Sequence, residues 1–200
     1  MAEPIRFYFD FNSTFSYIAI HSIDTLAARF HRSVDWRVLS LGHLFQAQGI
    51  APPPTIPTKL KYLSIDFARS CAFANLPCKM PPSFPPDVKL ARFMFCHLKK
   101  KDEGASHVFA KTVSMAVFGH GAEVATPAQL AAVCQGLPGV SVADIEAAAA
   151  DPKAKSALVA SLDAAVADGM VGAPFFVLDG EPFWGADRLG QLERRLQERA

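Results

Sequence analysis

The chain has 200 residues, half of them hydrophobic, with sixteen phenylalanines and a formal net charge of +1. That length suits one domain, or one domain carrying an insertion, with ample apolar material for a core. A near-neutral balance gives no electrostatic handle for nucleic acid or an anionic membrane surface, and no run approaches the roughly 18 apolar residues of a spanning helix; neither partner is expected.

In chain order, residues 5–11 alternate, with Ile5, Phe7, Phe9 and Phe11 on one side and Arg6, Tyr8 and Asp10 on the other. A period of two marks a strand. Polar Asn12, Ser13 and Thr14 follow, as helix N-caps do, and Phe15, Ile18, Ala19, Ile23, Leu26, Ala27 and Phe30 then repeat at helical spacing. Val34, Trp36 and Val38 alternate with charged residues as a second strand, so the chain opens β-α-β, the unit of parallel sheet.

The middle of the chain changes character. Nine of the fifteen prolines fall in two clusters, Pro52, Pro53, Pro54 and Pro57, then Pro77, Pro81, Pro82, Pro85 and Pro86. Proline lacks a backbone donor and resists helix interiors, so both clusters read as loops. Around them the spacing predicts helices over 58–75, 87–101 and 104–118, the first with Leu60, Leu63, Phe67 and Cys71 on one face. Thr126-Pro127 and Asp151-Pro152 each pair an N-cap residue with proline at the first helical position. Residues 175–178 form a short apolar run, and Asp179-Gly180 is a hairpin-turn signal before residues 181–184. Leu189, Leu192 and Leu196 then mark a last helix. The fold class expected is α/β, with a sheet unit made of residues 1–42 and 170–200 and a helical insertion over 43–169.

Three short features carry the chemistry. Ser13-Thr14-Phe15-Ser16 opens the first helix, where unpaired N–H groups favour an anion. Disulfide oxidoreductases place a thiolate there. Serine at both positions of a C-x-x-C spacing cannot form a disulfide, but Ser13 can donate a hydrogen bond to a thiolate that a ligand brings; the plainer role is an N-cap. Ala173-Pro174 precedes the late strand, either as an ordinary strand start or as a cis bond that turns the Ala173 N–H and C=O toward a peptide-like ligand. Asp187, in 183–189, either caps the final helix or receives an ammonium group. The four cysteines, Cys71, Cys78, Cys96 and Cys134, include no C-x-x-C pair, and the six histidines show no H-E-x-x-H spacing, so no metal is expected. Free, buried thiols in a reducing compartment are the expectation. The N-terminal MAEPIRFYFD has no basic segment before an apolar run, so no secretory signal is expected and the location read from it is cytoplasmic.

Together, the run Phe9-Asp10-Phe11-Asn12-Ser13-Thr14-Phe15-Ser16-Tyr17-Ile18-Ala19 resembles the D-F-x-S-P-[FY]-S-Y-L-A opening of the 2-hydroxychromene-2-carboxylate isomerases and kappa-class glutathione transferases. Gly172-Ala173-Pro174 is similar to their G-[VI]-P, and Trp184-Gly185-Ala186-Asp187-Arg188-Leu189 to their W-G-x-D-R-L. Lys59, Tyr62 and Asp66 match the helix between these ends. The resemblance spans almost the whole chain. It implies a thioredoxin-like domain with a helical insertion, a homodimer, glutathione as cofactor and a small aromatic substrate. Carried over by position, Ser13 is the catalytic residue and hydrogen-bonds the glutathione sulfur. Ala173, beside a cis Pro174, pairs with the cysteinyl unit; Trp184, Gly185, Ala186 and Asp187 hold the γ-glutamyl end; and Lys59 faces a carboxylate. The substrate positions fall at Phe45, Pro53 and Phe84, none of which donates a side-chain hydrogen bond. Thr14 replaces the family proline, and Ala186 stands where a polar residue is common. The activity implied is glutathione-dependent isomerisation. A transferase acting on an apolar electrophile is the alternative within the same fold, and a non-catalytic binding protein the alternative outside enzymes.

Overall fold

In the computed structural model, which describes residues 3–199, the expected alternation is realised as β1 (Ile5–Phe9), paired in parallel with β2 (Val34–Val38) from Ile5↔Val34 to Phe9↔Val38. Met1, Ala2 and Ala200, the outermost residues of the two terminal segments, lie outside the described residues. β3 (Phe175–Leu178) runs antiparallel to β1, and β4 (Glu181–Trp184) returns from it through Asp179-Gly180, giving the sheet order β2-β1-β3-β4. Asp179 and Gly180 both take positive φ, 49° and 85°, as a two-residue hairpin loop requires.

Both faces of this sheet are covered. On one, Phe7 stacks on Phe176 at 5.1 Å between ring centres, meets Trp36 edge-on, and Phe9 meets Phe95 in the same way. α1 (Thr14–Ile20), α2 (Ile23–Ala28), α5 (Lys89–Lys101), α6 (Glu103–Ser114) and α10 (Leu189–Glu198) are among the helices that add to that core. On the other, Tyr8, Phe175 and Val177 pack with Leu41 and Leu44 of α3 (Leu41–Gln48) and Ala165 of α9 (Pro152–Ala167). Tyr8 and Asp10 are therefore fully buried, although they alternate with the Phe face.

The helices between β2 and β3 also include α4 (Pro57–Phe73), α7 (Pro127–Val133) and α8 (Val142–Ala150). Thr126 and Asp151 cap α7 and α9 ahead of their prolines, as their sequence predicts. Several expectations need correction. The single helix expected to Phe30 is two, because the Ser22 hydroxyl donates back to the Ile18 carbonyl at 3.0 Å, an alternative to the helical ladder. The helix expected at 87 starts at Lys89, since Asp87 turns its carboxylate onto the Lys89 N–H at 3.0 Å. The helix expected to 118 ends at Ser114 and continues as a wider π turn, Met115–Gly119. The boundaries at 42/43 and 169/170 cut across the packing: α3 spans the first, and α9, on the insertion side of the second, covers a face of the sheet.

Candidate active site

The site is built where the end of β1 turns into α1. Ser13 has extended backbone (φ −95°, ψ 116°) and is the N-cap of α1, its Oγ accepting the Ser16 N–H at 3.1 Å. The same hydroxyl donates to the Ala173 carbonyl at 3.1 Å, 160 residues away in sequence. The Ala173–Pro174 bond is cis. The expectation that both polar groups of Ala173 face a ligand is thus half corrected: the C=O is engaged by Ser13, while the Ala173 N–H has no hydrogen-bond partner among the described residues.

The third feature joins this pair through the backbone. The Gly185 N–H donates to the Pro174 carbonyl at 2.9 Å, and the short 3-10 turn Ala186–Arg188 packs against α1. Gly185 has φ 108° and ψ 150°, a region essentially confined to glycine, and a Cβ there would collide with the Asp187 carboxylate. Asp187 does not cap a helix; its side chain is 70% exposed and pairs with Arg188 at 3.0 Å. Trp184 is 56% exposed and its indole lies on Gly172, whose absent side chain makes the room: a Cβ would stand 2.8 Å from Nε1. Ser13, Ala173, Pro174, Gly185, Ala186 and Asp187 are thereby gathered at one end of the sheet, where β1 finishes and β3 starts, with Trp184 beside them.

Other expected positions are not drawn into this cluster by any contact. Lys59 is exposed on the first turn of α4 and has no ion-pair partner among the described residues. Phe45 is half-buried against the core shared by α3 and α9, Phe84 leans on the larger core of the opposite face, and Pro53 opens a 3-10 turn, Pro53–Thr55. Two clefts of about 350 Å³ lie elsewhere on the surface and share no lining residue with the Ser13 cluster.

Sequence reasoning missed what holds the Ser13 loop in place. Asp10 is fully buried, and both its oxygens accept from Arg92 of α5, Nε and Nη2 each at 2.8 Å. Oδ2 also accepts the Leu41 N–H at 2.8 Å, which secures the start of α3, and Oδ1 takes the Asn12 N–H at 3.4 Å. The Asp10 carbonyl accepts the Ser13 N–H at 3.1 Å. One carboxylate therefore ties β1, the Ser13 turn, α3 and α5 together. A signal existed: Arg92 is a lone cation inside the apolar run 90–95, where an unpaired charge would be expelled from the core.

Titratable groups along α1 and α2 serve structure. Burial, aided by Lys111, holds His21 down at about 4, so its neutral ring faces Ser114 at 3.3 Å. Burial alone would raise Asp24, but His107, 3.6 Å away, and the hydrogen bonds from Lys111 and Trp36 at 2.7 and 2.9 Å hold it at about 2. Tyr17, on α1, is pushed up by burial and donates to the Pro77 carbonyl at 2.9 Å.

A parallel βαβ start, a cis-proline loop facing the first helix and a closing β-hairpin with a helix define a thioredoxin-type protein whose usual cysteines are serines. Residues 4–197 match the DSBA-like thioredoxin domain family, and the chain belongs to it. It is 25% identical over 198 residues to the 2-hydroxychromene-2-carboxylate isomerase of Sphingobium xenophagum, covering 98% of this chain and 99% of that one. Against the Pseudomonas putida protein of the same name it is 27% identical over 191 residues, 94% and 92% of the two chains. A solved 2-hydroxychromene-2-carboxylate isomerase superposes with a TM-score of 0.84 at 25% identity over 98% of this chain and 95% of its own. No helix among the described residues is long and apolar enough to cross a membrane.

Proposed function

We propose that the chain is a glutathione-dependent isomerase of the 2-hydroxychromene-2-carboxylate type, interconverting that acid and trans-o-hydroxybenzylidenepyruvate. The observation that carries this reading is the contact of the Ser13 hydroxyl with the cis-proline loop, beside an Ala173 N–H left without a partner. Serine there excludes dithiol exchange at this position, and relatives of that name match nearly end to end.

The residues present suit the tripeptide. The free Ala173 N–H offers the first rung of an added strand to a peptide-like ligand. Gly185 leaves a side-chain-free cradle, and the exposed Asp187 carboxylate supplies an acceptor for an ammonium group in exchange with Arg188. Trp184 and Ala186 flank it, and Lys59 stands free for a carboxylate. When bound, glutathione supplies a thiolate able to add reversibly to a conjugated double bond, which becomes free to rotate. Ser13 keeps that sulfur charged by turning its proton from the Ala173 carbonyl to the anion. A hydrogen bond to a charged group contributes about 1.5–3 kcal/mol, which lowers a thiol pKa near 8.5 by about one to two units. Phe45, Pro53 and Phe84 belong to this reading as apolar walls for the aromatic part of the substrate. So do the homodimer, for which α4 shows Tyr62, Ile65 and Phe73 to solvent, and a reducing cytoplasm, in keeping with four free thiols.

Titration calorimetry with glutathione should show saturable binding at millimolar concentrations, and ultraviolet-monitored turnover of the hydroxychromene acid should require it. Ser13→Ala should lower turnover while glutathione still binds. Absence of binding, or unchanged turnover in that variant, overturns the proposal.

A further inference from the structure

Asp10 stands directly behind the Ser13 turn. Its carbonyl accepts the Ser13 N–H at 3.1 Å and its N–H donates to Ser16 Oγ at 3.4 Å, so its backbone holds both serines. Its carboxylate is fully buried and reaches the turn through the Asn12 N–H, 3.4 Å from Oδ1. Arg92, whose Nε and Nη2 each donate to that carboxylate at 2.8 Å, is the one cation at ion-pair distance from it among the described residues. The pair bears on charge as well as on anchoring. α1 has seven residues, and even a long helix offers an anion only about half an elementary charge at its start. An unpaired carboxylate beside that start carries a whole negative charge and outweighs it.

Resting on the isomerase reading above, we propose that Arg92 is a positioning residue for the thiolate step: acting through Asp10, it cancels the negative charge behind Ser13 that would oppose the incoming sulfur anion. The pair is buried, so salt and water screen it little. A unit charge about 10 Å from the sulfur, at an effective dielectric of about 20, changes the ratio of thiolate to thiol about tenfold. The sign distinguishes this role from bracing. Removing the Arg92 charge leaves a negative group that disfavours the thiolate, whereas removing the Asp10 charge leaves a positive group that favours it. A pair that only braced the turn would weaken the site in the same sense from either side. The other charged groups on the elements around the turn are the same in every variant and drop out of the comparison. Asp187 pairs with Arg188, Asp24 with Lys111 and Asp66 with Arg69, while His43 of α3, Lys59 and Lys61 of α4 and Lys89 of α5 are exposed.

Two readouts test it in the full-length protein: the ultraviolet thiolate absorbance of bound glutathione against pH, and the pH dependence of turnover of the hydroxychromene acid with glutathione saturating. Arg92→Met should move the thiolate titration and the acid limb of turnover up by about one pH unit, with turnover recovering on the alkaline side. Asp10→Asn should move both down by a similar amount. Asp10→Asn/Arg92→Met, which carries neither charge, should return them to the wild-type position. Circular dichroism checks that each variant is folded; if Arg92→Met is not, the downward shift in Asp10→Asn and its reversal in the double variant decide the matter. Turnover that falls by one factor at every pH, or limbs that move the same way in both single variants, overturns the proposal and leaves the isomerase reading standing. A wild type that shows no thiolate signal with glutathione overturns both.

Discussion

Arg92→Met tests the anchor behind the Ser13 turn. Methionine keeps much of the aliphatic stem and removes only the guanidinium, so the change isolates the pair rather than the packing. Asp10 is fully buried, and the Arg92 side chain is 12% exposed; each supplies two atoms to a pair of 2.8 Å hydrogen bonds. Breaking such a pair leaves a carboxylate facing only neutral donors, the Leu41 and Asn12 N–H groups. The expected loss is about 3–5 kcal/mol, out of a total of roughly 5–15 kcal/mol for a domain. In a chain of this size that is a fall in Tm of about 6–20 °C. Urea unfolding followed by circular dichroism measures it. In Asp10→Asn/Arg92→Met the stranded charge is gone, so the double variant should regain part of the loss, by about 1–2 kcal/mol. A loss under about 1 kcal/mol for Arg92→Met, the range of exposed pairs, would refute the argument that this pair anchors the site.

Ser13→Ala removes a cap and a hydrogen bond to the cis-proline loop, so it should cost about 1–3 kcal/mol by urea unfolding, apart from any effect on turnover. Gly185→Ala should cost about 1–3 kcal/mol in thermal unfolding, because its φ of 108° excludes a side chain and a Cβ would strike Asp187. His21 is held near 4, below its ordinary 6.5, so the stability it contributes is complete above pH 6.5 and declines as pH falls toward 4; His21→Gln should flatten the stability profile across that window. Asp24, held near 2 against 3.8, contributes stability that is whole above pH 3.8 and lost as pH falls through 2, and acid unfolding of Asp24→Asn should lose that step.

The strands and the hairpin were legible because their signals are local. Alternation in 5–11, of which β1 takes Ile5–Phe9, the Asp-Gly turn and the Thr-Pro and Asp-Pro caps each depend on neighbours a few residues away. The burial of Tyr8 and Asp10 was not legible, because it depends on α9 and α5 arriving from more than 80 residues downstream. α3 shows Leu41, Leu44 and the half-buried Phe45 to the core over eight residues, too short a stripe for periodicity to register. The site residues divide in the same way. Ser13, Ala173, Pro174 and the turn 185–187 meet through contacts between motifs that stand at the two ends of the chain. Phe45, Pro53 and Phe84 were placed by counting across proline loops, and their packing is set by whichever core lies beneath each loop.

Capping and the thiolate contact of the proposed function are not rival roles for Ser13. A hydroxyl has two lone pairs and one proton. The cap uses a lone pair, which accepts the Ser16 N–H, and the proton is spent on the Ala173 carbonyl. The helix therefore keeps its cap when that proton turns to another acceptor, while the Ala173 carbonyl is released to pair with whatever brought the acceptor in. A thiolate arriving with a peptide backbone satisfies both halves of that exchange, since its sulfur takes the proton and its amide can take the carbonyl. A cysteine at position 13 would have supplied the anion from the chain itself. A serine there supplies none, so in the proposed function the anion arrives with the tripeptide.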